Sequence, residues 1–334
     1  MTRVLALADD LTGALEVGAR FAGEGIPSIV TSDATLQSSE PVLVIDTQTR
    51  HLDALGAALR VKQALSEANI PGLRLVFKKT DSTLRGNIAA ELSAVSNFYG
   101  SDVTFVPAYP AMGRTVKNGR LYVNGLPLEQ TSFAHDCLNP VSNSRIDGGE
   151  RCHVVDGETD DDVRRAASLM LKGTAPVLAA GTGALAGALA SEIDLPRQPL
   201  SALPVVRSCL VFNGSLHFAS ARQLAPLTAA RWTVLPWSPV PGQTPLQIAD
   251  DNGKLIRDAL RLGSFDAVLI CGGDTAYGML KAVGFPPLRP VAEVVTGVPL
   301  SRIVVDGREL SLITKAGGFG SPDILLQVEK RLNG

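Results

Sequence analysis

Short apolar runs alternate along this chain with longer segments that have the apolar spacing of amphipathic helices. Strand-like runs separated by helices are typical of mostly parallel sheets that are covered by helices on both faces. The pattern therefore predicts an α/β fold. The runs are VLALA (4–8), SIVTS (28–32), PVLVID (41–46), LRLVF (73–77), VTFVPA (103–108), CHVVD (152–156), APVLAA (175–180), CLVFNG (209–214), WTVLPW (232–237), AVLIC (267–271) and RIVVDG (302–307).

Two of the intervening segments, 53–68 and 160–173, are the clearest predicted helices. The second begins with an acidic first turn and ends at Gly173, which matches the helix dipole. Asn87 is placed to cap a helix over IAAELSAV, and Ser321 with Pro322 fits the N-cap and first position of the last helix.

Residues 114–128, RTVKNGRLYVNGLPL, interrupt the alternation. Two Asn-Gly pairs flank the segment RLYV, and Asn-Gly between apolar stretches is a strong hairpin signal. We expect a β-hairpin excursion from the first domain. Such an exposed hairpin could serve as the arm of a homodimer.

The chain is expected to form two domains, because 334 residues are more than one core usually supports. The segment LPRQPLSALP (195–204) has three prolines and little periodicity, which is typical of a linker. We place the division near residue 205, giving domains over 1–205 and 206–334. Each is predicted to be a mostly parallel sheet flanked by helices.

Composition narrows the class of protein. The chain is 45% hydrophobic with a net charge of −2 and no long run of like charge, so nothing favours a nucleic-acid or membrane partner. Its four cysteines, Cys137, Cys152, Cys209 and Cys271, form no CxxC pair, as expected of a reduced compartment. The apolar stretches are too short for a signal peptide or a membrane span, so we expect a cytoplasmic protein.

Asp9 and Asp10 lie where the first predicted strand turns into a helix, in LALADDLTGA (5–14). Ligands of open α/β sheets collect beyond the carboxyl ends of the strands. One aspartate could simply cap the helix, but two adjacent ones exceed what a cap requires. Carboxylates at this place would suit a polyhydroxyl ligand or a metal.

A second cluster follows the strand at 73–77, in KKTDSTLRGN (78–87). Its side chains could form a solvated surface loop, but so many donors around one aspartate favour an anion site. Arg50, in DTQTR (46–50), shares the strand-end location. The polar residues of the cluster are Lys78, Lys79, Asp81, Ser82, Thr83 and Arg85.

Three glycine-containing turns follow apolar runs in the second half, near residues 214, 272 and 317. Glycine at such turns lets backbone N–H groups and a helix N-terminus face a phosphate. Neither GxxxxGK[ST] nor a complete GxGxxG is present, so the turns predict a nucleotide site of neither the P-loop nor the ordinary dinucleotide type.

These motifs together resemble the four-carbon acid sugar kinase family. Family resemblance implies an N-terminal domain that binds a four-carbon sugar acid and a C-terminal domain that binds ATP. The implied reaction is ATP-dependent phosphorylation of a hydroxyl, usually the terminal one, of an erythronate, threonate or 3-oxo-tetronate. The motifs are ADDLTGA (8–14), KKTDSTLRGN (78–87), VPAYPAMGRTVKNGRLYVNGLPL (106–128), FAHDCLNPV (133–141), CGGDTA (271–276), and GVPL with TKAGGFG (297–320).

The resemblance also implies site residues. For the sugar acid these are one of Asp9 and Asp10, then Arg50 and the stretch Asp81, Ser82, Thr83 and Leu84. For ATP they are Ser215, Gly272, Gly273, Asp274 and Thr275, and Gly317 with Gly318 in the AGGFG turn. The turn at 213–217 reads NGSLH, where the family more often has SGS followed by small polar residues.

Residue chemistry adds roles to this set. Arg50, Arg85 and Lys79 are expected to hold the substrate carboxylate, and Asp81, favoured over Asp10, to act as the catalytic base. Mg²⁺ would bridge the ATP phosphates, with Asp274 orienting it and Lys315 pairing with a phosphate. Two other classes stay open: an NAD-dependent sugar-acid oxidoreductase, suggested by GTGALAG (181–187), and a non-catalytic sensor of sugar acids and nucleotides.

Overall fold

The computed structural model describes residues 1–135, 140–215, 218–227 and 232–333. Cys137, the centre of the FAHDCLNPV motif, and Leu216 and His217 of the NGSLH turn lie outside the described residues. The chain forms two compact units, Met1–Gln198 and Pro199–Gly334. The division falls inside the proline-rich segment 195–204, from which the sequence placed it near residue 205.

In the described residues, the first unit is built on a seven-stranded sheet in the order β2-β3-β1-β4-β10-β5-β9 and a small three-stranded sheet in the order β6-β7-β8. Neighbouring strands of the large sheet are all parallel. The strands are β1 (Val4–Ala8), β2 (Ser28–Thr31), β3 (Val42–Asp46), β4 (Leu75–Lys79), β5 (Val103–Val106), β6 (Arg114–Lys117), β7 (Arg120–Val123), β8 (Leu126–Pro127), β9 (Cys152–Val154) and β10 (Val177–Gly181).

Helices connect the strands of the large sheet, as parallel pairing requires. Asp53 caps α2 through the N–H of Gly56, and Thr159 with Asp162 forms a capping box at the start of α4. Both helices predicted over 53–68 and 160–173 are confirmed. The second ends at Leu171, with Lys172 as its C-cap, rather than at Gly173. The helices are α1 (Leu11–Gly23), α2 (Ala54–Ala68), α3 (Ile88–Tyr99), α4 (Asp160–Leu171) and α5 (Gly183–Glu192), with short 3₁₀ turns at Pro110–Met112, Leu128–Gln130 and Ser132–His135.

The central strands β1, β3, β4 and β10 are buried along their whole length. Their last residues are in register: Ala8 pairs with both Asp46 and Lys79, and Lys79 pairs with Gly181. The loops that follow these strands therefore begin side by side at one edge of the sheet.

The small sheet confirms the predicted hairpin. Asn118 and Gly119 join β6 to β7, and Asn124 and Gly125 join β7 to β8. All four residues have positive φ angles, between 50° and 83°, which is the backbone that two-residue type I′ turns require. The first hairpin leaves the large sheet through the backbone pair of Tyr109 and Arg114.

The sheet of the second unit, over the described residues, has the order β12-β11-β13-β16-β15-β14. The first four strands are parallel, and β15 and β14 extend the sheet as antiparallel strands. The two-domain α/β fold class is confirmed. The elements are β11 (Cys209–Asn213), α6 (Phe218–Leu224), β12 (Trp232–Val234), α7 (Pro245–Leu262), β13 (Ala267–Cys271), α8 (Gly273–Ala282), β14 (Arg289–Val295), β15 (Val298–Val305), β16 (Arg308–Lys315) and α9 (Ile324–Leu332).

The strand-like run at 302–307 is confirmed as the end of β15, which is followed by a turn at Asp306 and Gly307, both with positive φ. Two local predictions were wrong. The last helix begins at Ile324 with Asp323 at its N-cap, and Ser321 instead donates to the Asp323 carboxylate. Asn87 occupies the N-cap position of α3, but its side chain does not cap the helix. No helix in the described part of the chain is long and apolar enough to cross a bilayer.

Candidate active site

Arg50 connects the loops that follow β1, β3 and β4 at the edge of the first sheet. Its Nε and Nη2 donate to the two carboxylate oxygens of Asp9 at 2.7 and 3.1 Å, and its Nη1 donates to Asp10 Oδ2 at 2.5 Å. Its Nη2 also lies 3.6 Å from Asp81 Oδ2. The backbone N–H groups of Thr49 and Arg50 donate to the Asp9 carbonyl. Three predicted site residues, distant in the sequence, thus contact one guanidinium.

Asp10 has two roles that the sequence offered as alternatives. Its Oδ1 accepts from the N–H of Gly13 at 2.8 Å, so it caps α1, while its Oδ2 faces Arg50. Its side chain is 19% exposed, against 2% for Asp9. Burial, together with repulsion from Asp9, raises the pKa of Asp10. Asp10 is therefore the more reachable and the more basic of the two carboxylates.

Asp9 is held ionised. Although burial acts to raise its pKa, Arg50 and Lys78 lower the pKa of Asp9 below its ordinary value. Asp46, at the end of β3, behaves in the opposite way, because burial raises its pKa to about 8. It accepts from the Gln48 side chain at 2.6 Å. The DTQTR pattern gave no sign of this buried carboxyl group.

Asp81 organises the charged loop after β4. It accepts from the N–H and hydroxyl of Thr83 at 2.8 and 2.5 Å and from Nε and Nη2 of Arg85 at 3.1 and 2.8 Å. Against the effect of burial, Arg85 and Arg50 hold the pKa of Asp81 well below its usual range. A carboxylate so stabilised is a weak base. Ser82 and Leu84 are partly exposed between these contacts, with Leu84 at a φ of 60°.

Lys78 is wrongly placed by the sequence in the anion-binding cluster. The structure buries it completely, with Nζ 3.0 Å from Glu91 Oε2 of α3. The other carboxylate oxygen of Glu91 accepts from the Thr49 hydroxyl. Since Thr49 precedes Arg50, this buried pair supports the loop on which Arg50 lies.

Lys79 also pairs with a carboxylate that sequence reasoning missed. Its Nζ lies 3.1 Å from Glu16 Oε2 of α1, and the Tyr109 hydroxyl donates to Glu16 Oε1 at 3.1 Å. Arg20 donates in turn to the Tyr109 hydroxyl. The available signal was helical spacing, because Gly13, Glu16 and Arg20 follow one another along one face of α1.

In the second unit, the three predicted glycine turns meet at the carboxyl ends of β11, β13 and β16. A Cβ on Gly214 would lie 1.8 Å from Thr275 Oγ1, and a Cβ on Gly317 would lie 2.3 Å from Ser215 Oγ. Gly272 has a φ of 115° and is the N-cap of α8, where it offers no side chain to the helix. The first-turn N–H groups of α8, at Gly273, Asp274 and Thr275, therefore have no capping side chain from Gly272.

Lys315 does not point its amine at an open site. Its side chain is buried, and Nζ donates to the carbonyl groups of Ala316, Gly317 and Phe319 at 2.9, 2.7 and 3.1 Å. An ammonium has three protons, so these contacts use all of them. Burial lowers the pKa of Lys315. The predicted contact with a phosphate is thus replaced by a contact with the AGGFG loop.

Two residues of α6 bind the same loop. Ser220 donates to the Gly317 carbonyl, and Gln223 Nε2 donates to the carbonyl groups of Phe319, Gly320 and Ser321 at 3.0 to 3.1 Å. The carbonyl groups of Ala316, Gly317, Phe319 and Gly320 therefore accept hydrogen bonds from buried side chains. Among the described residues, the N–H groups of Gly317 and Gly318 donate to no backbone carbonyl.

No group of three or more metal-ligating His, Cys, Asp or Glu side chains occurs in the described ranges.

Comparison with known proteins matches both units. A sugar-binding N-terminal domain family matches residues 4–148, and a nucleotide-binding C-terminal domain family matches residues 242–325. A D-threonate kinase of Bordetella bronchiseptica is 30% identical to this chain, over 98% of this chain and 96% of the relative. Relatives named D-erythronate kinase and 3-oxo-tetronate kinase also match.

Solved structures agree. One from Salmonella typhimurium LT2 has a TM-score of 0.78 at 19% identity, covering 99% of both chains, and shows the same fold. Another, from Bordetella bronchiseptica, is 26% identical with a TM-score of 0.53, over 99% of this chain and 98% of that one. It is a domain-swapped dimer with bound citrate. Fold and matches together define a protein with a sugar-binding part and a nucleotide-binding part. The chain belongs to the four-carbon acid sugar kinase family, as its motifs indicated.

Proposed function

We propose that this protein catalyses the ATP-dependent phosphorylation of a hydroxyl, the terminal one, of a four-carbon sugar acid. D-Threonate is the first substrate to test, since the relatives that match at 30% identity over nearly the whole chain are D-threonate kinases. D-Erythronate and 3-oxo-tetronate are the others, from further relatives. The observation that carries the proposal is the convergence of Asp9, Asp10 and Asp81 on Arg50 at one sheet edge.

The sugar acid is assigned to this edge of the first unit. Ionised Asp9 and Asp10 accept hydrogen bonds from hydroxyl groups, as carboxylates do. Arg50, Lys79 and Arg85 supply positive charge, and the loop at Ser82, Thr83 and Leu84 borders the same place. The citrate bound to the Bordetella bronchiseptica relative is itself a hydroxy acid, which supports a ligand of this class.

ATP is assigned to the glycine turns of the second unit. Gly214 lies close to Thr275 and Gly317 lies close to Ser215, so a side chain at either glycine would clash. Without side chains there, a ligand can approach the backbone of both turns. Donors from the AGGFG loop and from the start of α8 (Gly272 to Thr275) suit phosphate oxygens. Lys315 acts here by ordering the loop that presents Gly317 and Gly318.

Mg²⁺ would neutralise the phosphate charge as it does in other phosphoryl transfers. Asp274, in the first turn of α8, is the carboxylate placed to orient the ion or its waters. We assign Asp10, rather than Asp81, as the general base that accepts the proton of the attacking hydroxyl. Asp10 is partly exposed and has a raised pKa, whereas Asp81 is committed to Arg85 and Thr83. As the hydroxyl oxygen bonds to the γ-phosphorus, the bond to ADP breaks and Asp10 takes the proton.

Gly317→Ala should weaken ATP binding selectively. The added methyl would lie 2.3 Å from Ser215 Oγ, so the loop must shift and its N–H donors move with it. We expect the KM for ATP to rise about tenfold, the loss of roughly one hydrogen bond to a charged group, while the KM for the sugar acid stays unchanged. Gly23→Ala, where a methyl meets open space, is the control. An equal rise in both KM values would contradict the assignment.

A panel of tetronates with ATP, followed by ADP release, tests the function. Turnover of one or more acids with stoichiometric phosphate ester supports the kinase. Absorbance change of a nicotinamide cofactor without ADP release would instead identify an oxidoreductase. Ligand-induced melting shifts without turnover would identify a sensor.

The proposal includes a cytoplasmic location, where ATP is available, and a homodimer. The domain-swapped dimer of the Bordetella bronchiseptica relative supports self-association. Light scattering at several protein concentrations measures the molecular mass in solution. The mass of a monomer at every concentration would contradict the proposed dimer.

A further inference from the structure

Arg114 is the first residue of β6, at the point where the hairpin leaves the large sheet. Its backbone bonds to Tyr109 in both directions, at 2.8 and 3.0 Å. Tyr109 follows β5, so Arg114 lies at the same edge of the sheet as the charged loop after β4. Asp81 and Arg85 are near enough for their charges to act on the pKa of Arg114. Arg114 therefore borders the proposed sugar-acid site.

The guanidinium of Arg114 has few partners. Its Nη1 donates to the carbonyl of Met112, and its Cζ lies 5.9 Å from the centre of the Phe133 ring. Its Nε is buried and has no hydrogen-bond partner. Within the described ranges of the chain, no carboxylate pairs with it. Partial burial lowers the pKa of Arg114, although the charge of Asp81 acts in the opposite direction.

Among the described residues, Arg50, Arg85, Lys79 and Lys78 at this edge are each paired with a carboxylate. Arg50 binds Asp9 and Asp10, Arg85 binds Asp81, Lys79 binds Glu16 and Lys78 binds Glu91. A substrate carboxylate that approached any of them would compete with a carboxylate already in place. Arg114 has no carboxylate paired with it among the described residues, so an anion that binds its guanidinium does not have to displace one.

We propose that Arg114 binds the carboxylate of the sugar acid and so selects acids over neutral sugars. This inference rests on the proposed function and adds to it Arg114, which was not among the site residues expected from the sequence. The paired cations then orient the carboxylates that face the substrate hydroxyl groups, and Arg114 binds the charged end of the substrate.

The test compares wild type, Arg114→Gln and Arg114→Lys by calorimetric titration of D-threonate without ATP, and by steady-state kinetics with ATP. For Arg114→Gln we expect the Kd and the KM for the acid to rise about 10- to 100-fold, the range of a hydrogen bond to a charged group. The kcat at saturating acid should stay near wild type, and Arg114→Lys should recover part of the affinity. The variant should melt at the wild-type temperature or above it, because the substitution removes a half-buried charge that has no carboxylate partner in the described ranges.

Arg120→Gln is the matched control, since Arg120 lies on the adjacent strand β7 with a 49% exposed side chain and faces Glu129. It should bind D-threonate like wild type. An unchanged Kd in Arg114→Gln overturns the inference, as does an equal loss in Arg120→Gln. A fall in kcat with unchanged Kd also overturns it and assigns Arg114 to the transferred phosphoryl group. If wild type itself binds and phosphorylates none of the tetronates, the proposed function fails first.

Discussion

Asp10→Asn is expected to lower kcat about 10²- to 10⁴-fold, the usual contribution of a general base. Asparagine is isosteric and its one oxygen can still accept from Gly13, so the cap of α1 should survive, while the hydrogen bond from Arg50 Nη1 to Asp10 Oδ2 is lost. The KM for the sugar acid should change much less, because the amide can still hydrogen-bond a hydroxyl. Steady-state kinetics with the best tetronate measures both quantities.

The pH profile gives a second signature. Asp10 must be ionised to accept the proton, so wild-type kcat should fall as the pH falls through the pKa of Asp10. Because burial and Asp9 raise that pKa, the fall should begin at a higher pH than for an ordinary aspartate. The small residual activity of Asp10→Asn should lack this acidic limb.

Asp81→Asn separates the two aspartates. It removes the charge that holds Arg85 and Thr83, so we expect a raised KM for the acid with a smaller change in kcat. If Asp81→Asn instead abolished turnover in a folded protein while Asp10→Asn kept near-normal kcat, the base would be Asp81, as the sequence favoured.

Lys78→Met is expected to lower the free energy of unfolding by about 3–5 kcal/mol, because it leaves the buried Glu91 carboxylate without its counter-ion. The double variant Lys78→Met/Glu91→Leu should recover much of that loss, since a buried ion pair and an apolar pair of similar volume are often close in stability. Urea titration of the variants measures the difference.

Lys117→Met is the control for this measurement. Lys117 and Glu158 also form an ion pair, at 3.4 Å, but their side chains are 59% and 55% exposed. Exposed pairs contribute at most about 1 kcal/mol. Equal losses in Lys78→Met and Lys117→Met would show that burial does not set the strength of the Lys78 pair.

The sequence predicted those features that local physics decides. Apolar runs predicted the parallel strands, the Asn-Gly pairs predicted the hairpin, and helical spacing, with an acidic first turn at 160–162, predicted α2 and α4. The approximate location of the site followed because parallel strands end at one edge.

What the sequence could not predict was pairing between distant residues. Lys78 and Lys79 face opposite sides of the sheet, because they are adjacent residues of one strand. The sequence does not show which of the two is fully buried against Glu91, since that depends on the packing of α3. Glu16 and Arg114 became visible only when the packing of α1 and β6 was known. The antiparallel strand β14 was missed because its sequence, RPVAEVV, begins with Arg-Pro and its apolar residues are interrupted by a glutamate.

The contacts that Lys315, Ser220 and Gln223 make with the AGGFG loop have a thermodynamic consequence. A loop whose carbonyl groups are already fixed loses little conformational entropy when a ligand arrives. Nucleotide association should then show a small heat-capacity change, without the signature of coupled ordering. The AGGFG loop is then expected to have the same conformation with and without bound ATP.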